Sequence, residues 1–309
     1  MNSQRPQITI LTGPTASGKT AVSLALAERL GAEIISADSR QVYRGLDIGT
    51  AKPEPQELAA VPHHGIDICD PSDTYTVGRF YSDAQRWINE IHARGRGVLV
   101  VGGSGLYVRA VTDGIFDGPI ADQVLRAGLE ERIRRDGLSA LVDELRRLDP
   151  DTAAVIDAQN PVRVVRALEV CLLTGRPYSA LRSERMPTLP YDCRMFGLRW
   201  ERSELNARID RRVDAMVDAG LVEEVRGLVE AGADPAWTSL NTVGYKEVIA
   251  YLSGLVSIEQ TIEAIKRSTR QYARRQLTWF RKEGRMQWLD VNESDTPAAI
   301  AERISELDQ

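Results

Sequence analysis

Short apolar runs and longer amphipathic stretches alternate along the first hundred residues. Ile8-Thr9-Ile10-Leu11 is brief, apolar and β-branched, as a buried parallel strand requires. From Ala21 to Leu30 the apolar positions Val22, Leu24, Ala25, Leu26 and Leu30 follow a helical pattern, and Gly31 is the predicted stop. Glu33-Ile34-Ile35-Ser36 predicts a second strand. Gly65-Ile66-Asp67-Ile68-Cys69, closed by Asp70-Pro71, predicts a third. A helix is predicted over about Val77 to Arg94, with Phe80, Ala84, Trp87, Ile88 and Ile91 on one face. Gly97-Val98-Leu99-Val100-Val101 is the next apolar run and stops at Gly102-Gly103-Ser104-Gly105. Strands alternating with helices predict βαβ units and a parallel sheet.

The pattern changes at about Gly114. Residues 122–149 read as charged helix with Leu125, Leu129, Ile133, Leu138, Leu141 and Leu145 as the apolar stripe, broken at Asp149-Pro150. A further helix is predicted over about Val162 to Leu173, with Arg163 and Arg166 on one face. Strand character returns at 194–200. Ser203 is the expected cap of a helix reaching about Ala219, whose buried face is Leu205, Ile209, Val213, Met216 and Val217. Asn241 to Glu247 is expected to be a loop opening into a helix. Met286 to Leu289 is a short strand, and a helix follows Thr296. The expected organisation is an α/β core, residues 1–113 and 190–309, with a helical insertion domain at 114–189.

Charge changes the picture at the C-terminal end. The chain of 309 residues is acidic overall, with net charge −5. Residues 257–285 nevertheless carry eight Lys/Arg against three Glu, so the other 280 residues sum to −10. On a helical wheel Lys266, Arg267, Arg270, Arg274 and Arg281 share one face, and Ile262, Ile265, Tyr272, Ala273, Trp279 and Phe280 another. A helix docked on one side and offering cations on the other suits polyanion phosphates; the alternative is a solvated charged face. Three widely spaced cysteines, Cys69, Cys171 and Cys193, form no metal-binding spacing and fit a reduced, cytoplasmic protein. No stretch approaches the roughly 20 apolar residues of a membrane span, and no signal-peptide pattern is present.

The candidate chemistry begins at Gly13-Pro14-Thr15-Ala16-Ser17-Gly18-Lys19-Thr20, which fits the phosphate-binding P-loop G-x-x-x-x-G-K-[ST] in the required strand–loop–helix context. Backbone N–H groups and a helix N-terminus would cradle an anion, Lys19 would pair with phosphate charge, and Thr20 would ligate Mg²⁺. Ligands on parallel sheets bind beyond the carboxyl ends of the strands, so Asp38 and Ser104 belong to the same rim as the loop. The apolar run 98–101 ends in Gly-Gly-Ser rather than the Asp usual in ATP-driven P-loop proteins, which favours group transfer. Asp38 is placed either to take a proton from an acceptor or to cap a following helix, with Ser39 and Gln41 in its first turn.

Six strings occur in order: the P-loop; Ser36-Ala37-Asp38-Ser39-Arg40-Gln41-Val42-Tyr43-Arg44; Asp47-Ile48-Gly49-Thr50-Ala51-Lys52-Pro53; Gly102-Gly103-Ser104-Gly105-Leu106-Tyr107; Val243-Gly244-Tyr245-Lys246-Glu247; and Arg274-Arg275-Gln276-Leu277-Thr278-Trp279-Phe280-Arg281. Together they resemble bacterial tRNA dimethylallyltransferases, the tRNA isopentenyltransferase family, over nearly the whole chain. The resemblance implies a P-loop NTPase-like fold with a helical insertion. It implies transfer of a dimethylallyl group from dimethylallyl diphosphate to N6 of adenosine 37, beside the anticodon, in tRNAs reading codons that begin with U. It assigns the P-loop and Arg208, or Arg212, to the donor diphosphate, with Mg²⁺ on Thr20. Asp38 becomes the general base, with Lys19, Thr20 and Ser104 also catalytic; Ser104 stands where the family usually has Thr. The implied tRNA contacts are Asp38, Ser39, Arg40, Gln41, Ser104, Arg126, Arg163, Arg166, Thr242, Gly244, Tyr245, Lys246, Arg274, Arg275, Gln276 and Arg281. The implied protein is a monomer with no membrane partner.

Three alternatives share parts of this pattern. A P-loop small-molecule kinase explains the first strands but gives the basic helix no task. An adenylate dimethylallyltransferase shares the donor site but needs neither the insertion nor that helix. An RNA-binding protein with a residual P-loop would not need Lys19, Thr20 and Asp38 intact.

Overall fold

The apolar β-branched runs of the first hundred residues lie side by side in one fully parallel sheet. The computed structural model describes residues 6–115, 118–119, 122–184 and 191–308. Its strands are β1 (Gln7–Thr12), β2 (Ala32–Ser36), β3 (His63–His64), β4 (Gly97–Gly102), β5 (Asp192–Arg199) and β6 (Met286–Asp290), in the order β3-β2-β4-β1-β5-β6. Ile10 stands beside Val100, and Val100 beside Ile35. The chain leaves β1 for β2 and leaves β4 for β5 in opposite directions along the sheet. The ends of β1 and β4 are therefore the topological switch point, where a ligand crevice opens.

The third strand departs from expectation. Residues 65–69 do not form it; Gly65 and Asp67 have φ of 83° and 54°, and left-handed residues cannot continue a strand. Pairing is confined to His63–His64, and Cys69 makes only an isolated bridge to Tyr43.

Helix α1 (Lys19–Leu30) follows the P-loop and ends on left-handed Gly31, whose N–H closes on the Ala27 and Glu28 carbonyls. After the short α2 (Pro55–Ala60), α3 (Val77–Ala93) buries Phe80, Ala84, Trp87, Ile88 and Ile91, and α4 (Gly105–Asp113) packs beside it. The Phe80 and Tyr107 rings stack with centroids 4.1 Å apart, adding directional contact to the apolar burial.

Residues 114–188 form a second compact unit, separate from the unit made by 1–113 and 189–309. It contains α5 (Gln123–Asp136), α6 (Leu138–Leu148), α7 (Pro150–Val155), α8 (Pro161–Thr174) and α9 (Tyr178–Ser183). Gly137, at φ 82°, splits the single helical run expected over 122–149 into α5 and α6. Leu129, Leu141, Val164 and Leu168 make the core of this unit.

The chain then returns through β5 to α10 (Arg202–Asp218), α11 (Leu221–Glu230), α12 (Tyr245–Leu252), α13 (Ile258–Phe280) and, after β6, α14 (Pro297–Leu307). Glu201, not Ser203, caps α10, because its carboxylate accepts from the Ser203 and Glu204 amides. Helices α1 and α14 cover one sheet face through Leu11, Leu26, Phe196, Leu289 and Ile304. Helix α13 buries Ile265, Ala273 and Phe280, but Trp279, expected on the docked face, is 40% exposed. Lys266 and Arg270, expected on the open face, instead pair with Asp214 and Asp210 of α10.

Candidate functional site

Adjacent strands bring three loops to one rim. In sheet order the loop after β2 carries Asp38, the loop after β4 carries Ser104, and the loop after β1 is the P-loop. They line a pocket of about 840 Å³, closed on its far side by Arg208 and Arg212 of α10 and by Tyr272 and Gln276 of α13. Gly49 to Lys52 and Asn241 to Gly244 also line it.

In the P-loop, Gly18 has φ 87° at the N-cap of α1, a conformation that disfavours a side chain. The Lys19 ammonium donates to the Gly13 and Pro14 carbonyls at 3.0 and 2.8 Å. Burial pushes the Lys19 pKa down to about 7. The positive charge of Arg212 adds to this, and Asp38 opposes it. Arg208 donates from Nε to the Ala16 carbonyl at 2.9 Å, and its guanidinium lies 4.1 Å over the Trp200 ring. Arg212 lies one turn further along α10. Burial lowers its pKa, and attraction to Asp38 opposes that shift. Both arginines thus belong to the loop's surroundings, Arg208 on its backbone and Arg212 between Lys19 and Asp38 in electrostatic reach.

Asp38 does cap a turn: its Oδ1 accepts from the Arg40 amide at 2.8 Å and the Gln41 amide at 3.4 Å. The helix expected after it does not form; residues 39–41 are turn. A carboxylate held by one oxygen is oriented, and the capping and proton-accepting roles are compatible. The Ser104 hydroxyl accepts from the Ser39 amide at 3.1 Å and so ties the β4 loop to the Asp38 turn. Tyr272, which the helical wheel placed with the core, faces this turn. Burial pushes its pKa up to about 12, and the charge of Asp38 pushes the same way, while the Ser104 hydroxyl bonds to the phenol oxygen. Sequence spacing held one clue to it: Tyr272 precedes Gln276 by a helical turn.

Residues 41–283 match the protein-family model described as IPP transferase. The chain is 47% identical to the tRNA dimethylallyltransferase of Geobacter sulfurreducens over 93% of this chain and 92% of that protein. It is 46% identical to the Thermomicrobium roseum tRNA dimethylallyltransferase over 98% and 92%. The full-length tRNA isopentenylpyrophosphate transferase of Bacillus halodurans superposes with TM-score 0.72 at 44% identity, covering 98% of this chain and 96% of that one. A eukaryotic dimethylallyltransferase solved acting on tRNA superposes with TM-score 0.84 at 28% identity, covering 97% and 77%. The chain belongs to the IPP transferase family.

In this IPP transferase the residues expected to meet RNA separate into two groups. Arg163, Lys246, Arg274, Arg275 and Arg281 are exposed, and among the described residues none of them forms an ion pair to another element. Arg40 is half-buried and donates to the Thr238 carbonyl. The others are engaged inside the protein. The Gln41 amide bonds Ser36, Thr50 and Ala51. Thr242 is buried against the Ser239 carbonyl, and Gly244, at φ 98°, begins α12. Tyr245 is fully buried, with its hydroxyl on Glu224 at 2.5 Å. Glu224 also accepts from the Asp47, Ile48 and Gly49 amides, which explains why that string folds as it does. A methyl group on Gly49 would lie 2.4 Å from the Tyr245 ring, so this close approach requires glycine. Gln276 is buried between two loops.

Arg126 and Arg166 both bond the fully buried Glu169 of α8. Burial alone would raise the Glu169 pKa; hydrogen bonds and charge from the two arginines outweigh it and hold the carboxyl below its ordinary range. Such a carboxylate costs several kcal/mol to bury unless paired. These arginines therefore have a structural task, whatever else they touch. Of the two pairs only Arg166–Glu169, three apart on α8, has a spacing visible in the sequence; Arg126 is 43 positions away from Glu169.

Proposed function

We propose that this IPP transferase moves a dimethylallyl group from dimethylallyl diphosphate to N6 of adenosine 37 in tRNAs reading codons that begin with U. The observation that supports it most is the convergence of the P-loop, the Asp38 turn and Gly103 of the β4 loop on one pocket of about 840 Å³, roomy enough for a small diphosphate and a nucleobase together, with Ser104 behind it bonded to Ser39. The donor diphosphate lies on the P-loop amides and Lys19, with Arg208 and Arg212 beside it. These groups stabilise the negative charge that develops as the bond from C1 to the diphosphate oxygen breaks. N6 forms its bond to C1, its proton passes to Asp38, and diphosphate leaves. Ser104 and Tyr272 hold the Asp38 turn. The adenosine leaves the anticodon stack to reach this rim.

The residues fit Mg²⁺. Thr20, in the first turn of α1, and Asp38 both line the pocket with hard oxygen donors. Among the described residues no cluster of three His, Cys, Asp or Glu could hold a metal by itself. The ion would depend on diphosphate oxygens and water, as Mg²⁺ commonly does. When bound it would neutralise charge on the departing diphosphate. Among the described residues no helix is long and apolar enough to cross a membrane. We further propose that the enzyme works in the cytoplasm, where its tRNA substrate is, and as a monomer.

Incubation with labelled dimethylallyl diphosphate, Mg²⁺ and unmodified tRNA, followed by nucleoside analysis, tests the assignment. Label in a modified adenosine is the expected result. Phosphoryl transfer from ATP without prenyl transfer would replace it with a kinase.

The outer face of α13 supports the polyanion assignment through Arg274, Arg275 and Arg281, not through Lys266 and Arg270. Changing those three to alanine should weaken tRNA binding and lower its salt slope by about 2 to 3. Changing Lys266 and Arg270 should act mainly on stability, since they hold α13 to α10. An unchanged salt slope in the triple variant would make that face merely solvated.

A further inference from the structure

Gln276 was expected to touch tRNA, yet it is only 6% exposed and lies on the inner side of α13. Both ends of its amide are used. Oε1 accepts from the Thr15 amide of the P-loop at 2.9 Å, and Nε2 donates to the Gly103 carbonyl at 3.0 Å. Paired strands end at Thr12 with Gly102, so past that point Gln276 joins the two loops. The contacts continue without a gap. Gly103 precedes Ser104, Ser104 holds Ser39, and Ser39 follows Asp38. A methyl group on Gly103 would lie 2.1 Å from the Gln276 amide nitrogen, so the bridge needs glycine there.

We propose that Gln276 is a positioning residue that fixes the distance between the diphosphate-binding loop and the rim carrying Asp38. Prenyl transfer requires C1 of the donor and the acceptor nitrogen to meet in line. The two substrates sit on different loops of the sheet, and loops beyond the last strand pair have no ladder to hold them in register. A buried amide with one donor and one acceptor joins an N–H of one loop to a carbonyl of the other, and few side chains have both groups at that spacing. It also consumes the Thr15 N–H, leaving the later P-loop amides for phosphate. The helix that supplies it is fixed to α10 by Lys266–Asp214 and Arg270–Asp210 at 2.7 and 2.6 Å, so the bridge has a firm base. The inference rests on assigning the P-loop to the donor.

Two variants test it. Gln276→Met removes both hydrogen bonds at similar volume. Gln276→Glu keeps the Thr15 contact but sets a carboxylate oxygen against the Gly103 carbonyl. Both should lower kcat, Gln276→Met by about 10²-fold, the scale of a 1 Å misplacement. tRNA affinity should stay at the wild-type value. Amide hydrogen exchange at Thr15 should quicken in Gln276→Met and not in Gln276→Glu, a readout independent of turnover. Weakened tRNA binding with normal kcat would make Gln276 an RNA contact and overturn the proposal. Unchanged kcat in the folded variants would do so too. If Gln276→Met does not fold, by thermal unfolding, Gln276→Glu decides through kcat alone. Failure of the wild-type enzyme to transfer the prenyl group would count against the donor assignment, while the Thr15 exchange rates would still report on the bridge.

Discussion

Asp38→Asn should lower turnover about 10²- to 10⁴-fold while tRNA affinity stays close to wild type. The substitution separates the two tasks of this side chain. Asparagine keeps a side-chain oxygen to accept from the Arg40 and Gln41 amides, so the turn of residues 38–41 is preserved. It cannot accept the proton that N6 must lose. Asp38→Ala removes the cap as well and should show the same turnover loss with added instability, since it leaves the Arg40 and Gln41 amides without their acceptor. Single-turnover prenylation at saturating donor and tRNA is the relevant measurement. Near-normal rates for Asp38→Asn would remove the carboxylate from catalysis and leave it a turn cap.

Lys19→Met should damage donor use as strongly, with kcat/KM for dimethylallyl diphosphate falling about 10²- to 10³-fold, the scale of losing one preorganised donor to developing negative charge. Its ammonium sits on the Gly13 and Pro14 carbonyls, inside the loop that holds the anion. Arg208 and Arg212 remain, so some transfer should persist. tRNA binding, carried by the outer face of α13, should not track the donor defect. Equal loss of donor and tRNA affinity would mean that the substitution had collapsed the pocket. Unchanged donor kinetics would contradict the assignment of diphosphate to the P-loop.

The rim of the site is legible in the chain. Ile8–Leu11, Glu33–Ser36 and Val98–Val101 are short, β-branched at their centres and separated by helical patterns, which reads as parallel strands, and the loops after them emerge at the same end of such a sheet. That alone places the P-loop, Asp38 and Ser104 together. The helices are legible where their apolar stripe is long, as in α3 and α8. They are misjudged where one glycine decides, as at Gly137 between α5 and α6.

The contacts of the charged and polar side chains are not legible. A helical wheel gives angles on one helix and says nothing of its neighbour, so the pairing of Lys266 and Arg270 with acids 52 and 60 positions earlier could not be seen. The same holds for Glu169 beneath Arg126, and for Glu224 beneath Tyr245. Local chemistry and period are short-range properties, and the sequence alone determined the sheet, the phosphate loop, the acidic residue beside it and the excess of cations near the C-terminus. Which cations stay free for a polyanion, and that Gln276 turns inward to join two loops, depend on partners distant in the chain. Only tertiary packing decided them, because a buried polar group takes whichever partner the fold brings within hydrogen-bond reach.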